Sequence, residues 1–198
     1  RFGIPEPKDE TIKLLLQHGR NIYQNLEYFG EIHTGNHLAN NGRGLYLGGL
    51  MLGIASWIDI GCKILLEEAK RIFSESGELR EGSVHYHLLA SRWYVECWLA
   101  AKKYGRKEEQ CFERVASSVL SVLPIFNMPA GLPLIGDVSP DCSPSYLHCL
   151  LDDTKSGWVA ELSPEEQQAL LELKKNVKKN NVKTHGLNNW WRTNVGPW

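Results

Sequence analysis

The chain has 198 residues, 42% of them hydrophobic and 23% charged, which is long and apolar enough to bury a substantial core as one domain. Its 22 lysines and arginines and 23 aspartates and glutamates leave a formal charge of −1, so bulk charge supplies no attraction to nucleic acid or to an anionic membrane. An anionic ligand would need a local basic patch. The five cysteines, Cys62, Cys97, Cys111, Cys142 and Cys149, are widely spaced and contain no C-x-x-C pair, so they read as buried thiols rather than as a disulfide framework or a zinc site.

Asp9 is placed to cap a first helix running to about Phe29, with Ile12, Leu15, Leu16, Ile22, Leu26 and Phe29 at helical spacing and Gly30 closing it. The stretch from Glu31 to Trp57 then sets amides and imidazoles where a helix should begin and follows them with an apolar, glycine-rich run. Asn36 is expected to cap this second helix, its side-chain oxygen taking a backbone N–H that the first turn leaves without a partner. Leu38, Leu45, Leu47, Leu50 and Met51 supply its apolar faces, and Gly44 and Gly48, then Gly49 and Gly53, are four apart. A helical glycine costs about 1 kcal/mol against alanine, so these glycines predict a second helix backbone at close approach. The apolar run falls short of the roughly 20 residues a bilayer requires, and Gly42-Arg43-Gly44 lacks the third glycine and the preceding strand of a phosphate-cradling loop.

A third helix is predicted over Ile54 to Phe73, with Trp57, Ile60, Ile64, Leu65 and Ile72 inward and Lys63, Glu67, Glu68, Lys70 and Arg71 outward. A fourth opens at Ser83 and carries Tyr86, Leu89, Trp93, Val95 and Trp98 to Tyr104. A fifth runs from Glu108 to Leu123 and stops before Pro124. Five helices on short links, with no strand alternation, predict an all-α fold of stacked antiparallel hairpins. Pro124, Pro129, Pro133, Pro140 and Pro144 rule out a continuous helix over 124–144, and the apolar content of that segment predicts an ordered loop packed on the helices. Ser163 and Pro164 then start another helix, ending in the basic run Lys174 to Lys183, which reads as a solvated helix end. The tail from Asn189 to Trp198 is aromatic enough to predict that it packs against something.

Three stretches taken together resemble the N-terminal helical domain of the heparinase II/III-like polysaccharide lyases: Gly35-Asn36-His37-Leu38-Ala39-Asn40-Asn41 with its glycine-rich helix, Leu79-Arg80-Glu81-Gly82-Ser83-Val84-His85-Tyr86-His87, and Leu132-Pro133-Leu134-Ile135-Gly136-Asp137. The likeness covers roughly residues 10 to 145. It implies an incomplete (α/α) toroid over 1–198, with 124–144 as a cleft loop and an acidic polysaccharide as partner. It also implies a periplasmic or secreted location. In that family a polar group neutralises the C5 carboxylate of a uronic acid while a tyrosine takes the C5 proton and protonates the leaving glycosidic oxygen. Carried onto this chain, Tyr86 is the acid and base, and Asn36, His37 or Asn40 neutralises the carboxylate. Arg43, Arg80, His87, Asp137 and Trp93 join Asn40 as substrate contacts. The family carries a β-sheet domain after the toroid for which these residues leave no room, so the resemblance implies a part of a larger lyase or a shortened relative, weak or inactive by itself.

The chemistry of the residues agrees with those roles. A proton beside a carboxylate is removable only when donors offset the charge that develops. Tyrosine, with an ordinary pKa of about 10, needs nearby cations to act as a base at neutral pH, and Arg43, Arg80 and Arg92 are the candidates. Asn36 and Tyr86 both stand at helix starts, 50 residues apart, and parallel helix starts can face one cleft and favour anions. Against this, Tyr86 and Trp93 at helical spacing also read as core, Asp137 as a loop-stapling carboxylate, and the same cleft could serve a non-catalytic glycan- or protein-binding domain. His33, His85 and His87 suggest no metal or other cofactor, because positions two apart on a helix point in different directions; one of the pair at 85 and 87 is expected to face the cleft and the other to pack.

Overall fold

The computed structural model describes residues 8–30, 35–128 and 131–184, with side chains to residue 179. Seven α-helices occupy these residues: α1 (Asp9–Gln24), α2 (Asn36–Leu52), α3 (Ala55–Ile72), α4 (Val84–Lys103), α5 (Glu109–Val122), the single turn α6 (Pro144–Leu147) and α7 (Pro164–Thr184). Short 3-10 turns at Leu123–Phe126, His148–Leu150 and Gly157–Glu161 complete them. Among the described residues there is no strand, only isolated bridges at Phe73 with Leu79 and Met128 with Gly131. The chain is mostly helical and all-α, as its periodicity predicts.

α2 and α3 form a tight antiparallel hairpin, and its closeness comes from glycines. A methyl group on Gly61 would lie 2.6 Å from the backbone nitrogen of Tyr46 and 2.7 Å from the carbonyl of Gly42, and one on Gly49 would lie 2.8 Å from the nitrogen of Ile58. The close approach therefore runs through Gly42, Gly49 and Gly61. Of the glycines that spacing singled out, Gly44 meets only Ile22 at 3.6 Å and Gly48 meets nothing within 4 Å. Gly53 ends α2 in the left-handed conformation at φ 71°, where its missing side chain removes the steric cost.

The core lies between α2, α3, α4 and α5, with Tyr46, Leu65, Leu88, Tyr94, Val95, Phe112, Ala116 and Val119 fully buried. α7 closes it with Leu170 and Leu173. Ser163 caps α7 reciprocally with Glu166: the backbone N–H of Glu166 donates to Ser163 Oγ, and that of Ser163 to Glu166 Oε2. Lys174 departs from the expected solvated run. It is buried, donates to the carbonyls of Cys149 and Asp152 and pairs with Asp153, so it ties α7 to the 3-10 turns.

α1 is shorter than predicted and buries no residue completely; Leu14, Leu15, Tyr23 and Phe29 are exposed. It is held by the Trp57 indole of α3, which sits where a side chain on Gly19 would be. Of the cysteines, Cys97 and Cys149 are buried, whereas Cys62, Cys111 and Cys142 are half-buried, and all are free thiols. In the 124–144 segment Ile125, Phe126 and Leu132 are half-buried, but Met128, Leu134 and Ile135 are exposed, so the packing on the helices is partial. No described helix is long and apolar enough to cross a membrane. The aromatic tail and His33 lie outside the described residues.

Candidate functional site

Three contacts climb together along α2 and α4 and fix these helices as parallel neighbours. Asn36 Nδ2 donates to Glu81 Oε2 at 3.1 Å, Arg43 Nε to Glu96 Oε2 at 2.7 Å, and the Tyr46 hydroxyl to Glu108 Oε1 at 3.0 Å just beyond α4. Both helices therefore begin at one end of the molecule. Asn36 lies beside the turn that leads into α4, whose first turn carries Tyr86.

The loop over 131–143 closes on the same place. Ser83 caps α4, its Oγ accepting the Tyr86 backbone N–H at 3.0 Å while its own hydroxyl donates to the carbonyl of Asp137 at 2.6 Å. The Val84 N–H donates to the Ile135 carbonyl at 3.0 Å, and the Ser139 N–H to His85 Nδ1 at 3.0 Å. Gly136 is pressed on the helix start, since a methyl group there would stand 2.8 Å from the Cα of Ser83. Its φ of 76° and this contact together require glycine.

Asn36 does not cap α2. Gly35 occupies that position with no side-chain hydrogen bond, and Asn36, as the first helical residue, turns its amide to Glu81. His37 is three-quarters exposed and its Nδ1 lies 3.2 Å from Glu27 Oε1. Glu27 in turn exchanges bonds with Asn41, accepting from Nδ2 at 3.1 Å and donating its N–H to Oδ1 at 2.9 Å. Asn40 is exposed and accepts from Arg43 at 3.4 Å.

The arginines are already engaged. Glu96 takes Arg43 on Oε2 and Arg92 on Oε1, the latter at 2.9 Å, and Arg92 lies 6.0 Å over the Tyr146 ring. Burial first, then a hydrogen bond and the charge of Glu161, push the Tyr146 phenol up to about 12. Arg80 is exposed, and its Nε donates to the Phe73 carbonyl at 3.0 Å. Tyr86 is half-buried against the core, its ring 6.2 Å from that of His85, and among the described residues its hydroxyl has no hydrogen-bond partner.

Two assignments need correction. His87 cannot contact a substrate where it lies: it is 1% exposed, its Nδ1 accepts the Leu79 N–H at 3.1 Å and its Nε2 donates to the Val119 carbonyl at 3.1 Å. His85 is buried as well, so neither member of the pair opens to solvent. Asp137 staples the loop through its main-chain carbonyl, and its side chain is exposed. Trp93 is half-buried against the core. The structure thus gathers Asn36, Tyr86 and the Gly136-Asp137 loop at one end, sets Arg43 further along α2 and Arg92 and Trp93 further along α4, and buries His87 in the interior.

Sequence reasoning missed Glu96, and it quoted Glu81 and His85 without giving either the contact it makes here. The Arg92–Glu96 spacing of four on α4 was a legible signal for one ion pair, but the second guanidinium arrives from 53 residues away. Among the described residues no three His, Cys, Asp or Glu side chains converge on a metal position. Compared with protein-family models, curated proteins and solved structures, the chain matches none.

Proposed function

We propose that the chain is the helical domain of a polysaccharide lyase, an incomplete (α/α) toroid that works by β-elimination on a uronic-acid-containing glycan from a periplasmic or secreted location. The observation that carries the reading is the meeting of three separate stretches at one end of the molecule. Asn36 bonds to Glu81 in the turn before α4, and Ser83 holds Asp137 while capping the turn that bears Tyr86. In this reading Asn36 and His37 offer donors to the uronate carboxylate, the start of α2 adds its unsatisfied N–H groups, and the Tyr86 oxygen removes the C5 proton. That oxygen then delivers a proton to the leaving glycosidic oxygen as the carbon–oxygen bond breaks and a carbon–carbon double bond forms.

One observation favours a second reading, a non-catalytic domain that binds glycan or protein on the same surface. Arg43 and Arg92 share Glu96, and Arg80 is anchored on Phe73, so each candidate cation for a tyrosinate has another partner. The test is to incubate the full-length protein with several uronate polymers and follow the ultraviolet absorbance of the unsaturated product. Tyr86→Phe keeps the ring and removes the oxygen; the lyase reading expects a loss of roughly 10²–10⁴-fold, the usual worth of positioned acid–base catalysis. Undiminished product in Tyr86→Phe would remove Tyr86 from the chemistry. Binding without product would favour the second reading.

A further inference from the structure

We infer that His85 is a positioning residue that holds the 131–143 loop over the start of α4 only while its imidazole is neutral, so that acid releases the loop. The latch rests on geometry alone, whereas its effect on turnover rests on the lyase reading above.

His85 is fully buried, and its Nδ1 accepts the Ser139 N–H at 3.0 Å. A nitrogen that accepts carries no proton, so the docked loop fixes the tautomer with hydrogen on Nε2. That Nε2 is buried and meets no partner at hydrogen-bonding geometry, although the Cys142 carbonyl lies close enough to the ring to favour its protonated form somewhat. Adding a second proton can occur only at Nδ1, where it would face the Ser139 N–H head-on and bury a charge with no counterion. Among the described residues no ion pair reaches the ring. The titratable and charged groups on the surrounding elements are Asp137, Asp141 and Cys142 of the loop, Glu81 and Tyr86 about the helix start and Arg92 further along α4. Burial lowers the His85 pKa and the Cys142 carbonyl opposes it only partly.

The other two fastenings, Ser83 to Asp137 and Val84 to Ile135, do not titrate. Among the described residues His85 is therefore the one proton-sensitive member of the clasp. With the loop lifted, the ring takes its proton at the ordinary histidine value of about 6.5. Docking is then complete above that value and weakens as pH falls below it.

The experiment is amide hydrogen exchange of the full chain, corrected for intrinsic rate, from about pH 8 downward through the span in which histidine changes charge. In the wild type, protection in 131–143 should fall by up to about tenfold per pH unit, the slope of one linked proton, before the rest of the molecule opens. His85→Asn places a non-titrating oxygen acceptor where Nδ1 stands, so its loop should stay protected through the same range. Exchange in 74–82, where His87 accepts from Leu79, reports separately on the other buried histidine. Loop protection unchanged in the wild type until global unfolding would overturn the inference, as would an identical pH profile in His85→Asn. Where the protein turns over a uronate polymer, the wild type should lose rate in acid relative to His85→Asn. If no polymer is turned over, the lyase reading fails while the exchange result still decides the latch.

Discussion

Ser83 binds Asp137 and Tyr86 with one oxygen, donating to the loop carbonyl at 2.6 Å while accepting the helical N–H at 3.0 Å. A helix cap and a long-range staple are thereby a single group, and the loop cannot leave without disturbing the turn that carries Tyr86.

Replacing Ser83 with alanine removes both bonds. The cap alone is worth about 1 kcal/mol, and the staple adds a neutral hydrogen bond of about 0.5–1.5 kcal/mol. We expect a loss of roughly 1.5–2.5 kcal/mol in denaturant unfolding. Ser83→Thr, which keeps the oxygen, should recover most of it. Equal losses for alanine and threonine would show that the oxygen is not what matters.

The glycines of the α2–α3 hairpin make opposite predictions. Gly61→Ala drives a methyl group to 2.6 Å from the Tyr46 nitrogen, backbone against backbone, and should cost about 1–3 kcal/mol as overpacking does. Gly48→Ala meets open space inside a helix and should stabilise by up to about 1 kcal/mol. Thermal melts of the two variants check the signs, and a stabilised Gly61→Ala would refute the close approach.

That contrast shows where the sequence was legible. The existence of a glycine-mediated contact could be read from the run itself, because four glycines in a helix need a reason. Which glycines face α3 depends on the rotation of α2, set by Leu45, Tyr46 and Leu50 turning into the core. The bounds of α3, α4 and α5 fall within about a residue of expectation, with Gly53 and Ser83 marking the starts of α3 and α4 and Pro124 the end of α5 locally. α1 stops at Gln24 instead of Phe29 although Leu26 and Phe29 continue its spacing. There the Asn25 side chain and N–H bond back to Asn21, and Glu27 is drawn to Asn41 and His37 of α2. Tertiary partners of this kind leave no mark on local periodicity. The same holds for Asn36, displaced from the cap by Gly35 and directed to a carboxylate 45 residues away.

Glu108 predicts an acid-sensitive core. Burial by itself raises its carboxyl, but bonds from Arg106, from its own N–H and from Tyr46 outweigh burial and leave the net shift downward. A depressed carboxyl contributes stability above the ordinary carboxylate range and loses it as pH falls through that range and below. Glu108→Gln should therefore be less stable at neutral pH by about 1–3 kcal/mol, with a flatter acid limb. Equilibrium unfolding across the acid range decides this; parallel curves for the two proteins would count against it.

Glu96 predicts a change in recognition rather than in fold. Its carboxylate serves Arg43 and Arg92 at once, so a polyanion approaching α2 and α4 meets guanidiniums whose charge is half cancelled. Glu96→Gln keeps an oxygen for one of them and raises the local charge by one. Removing a carboxylate from partly exposed guanidiniums is worth about 1 kcal/mol to an incoming anion, or roughly fivefold in affinity, and the gain should shrink as salt is added. Titration of a uronate polymer at low and high ionic strength measures both. A variant that binds no better than the wild type at low salt would place the two arginines outside the path of the proposed glycan and leave their pairing with Glu96 as a link between α2 and α4 alone.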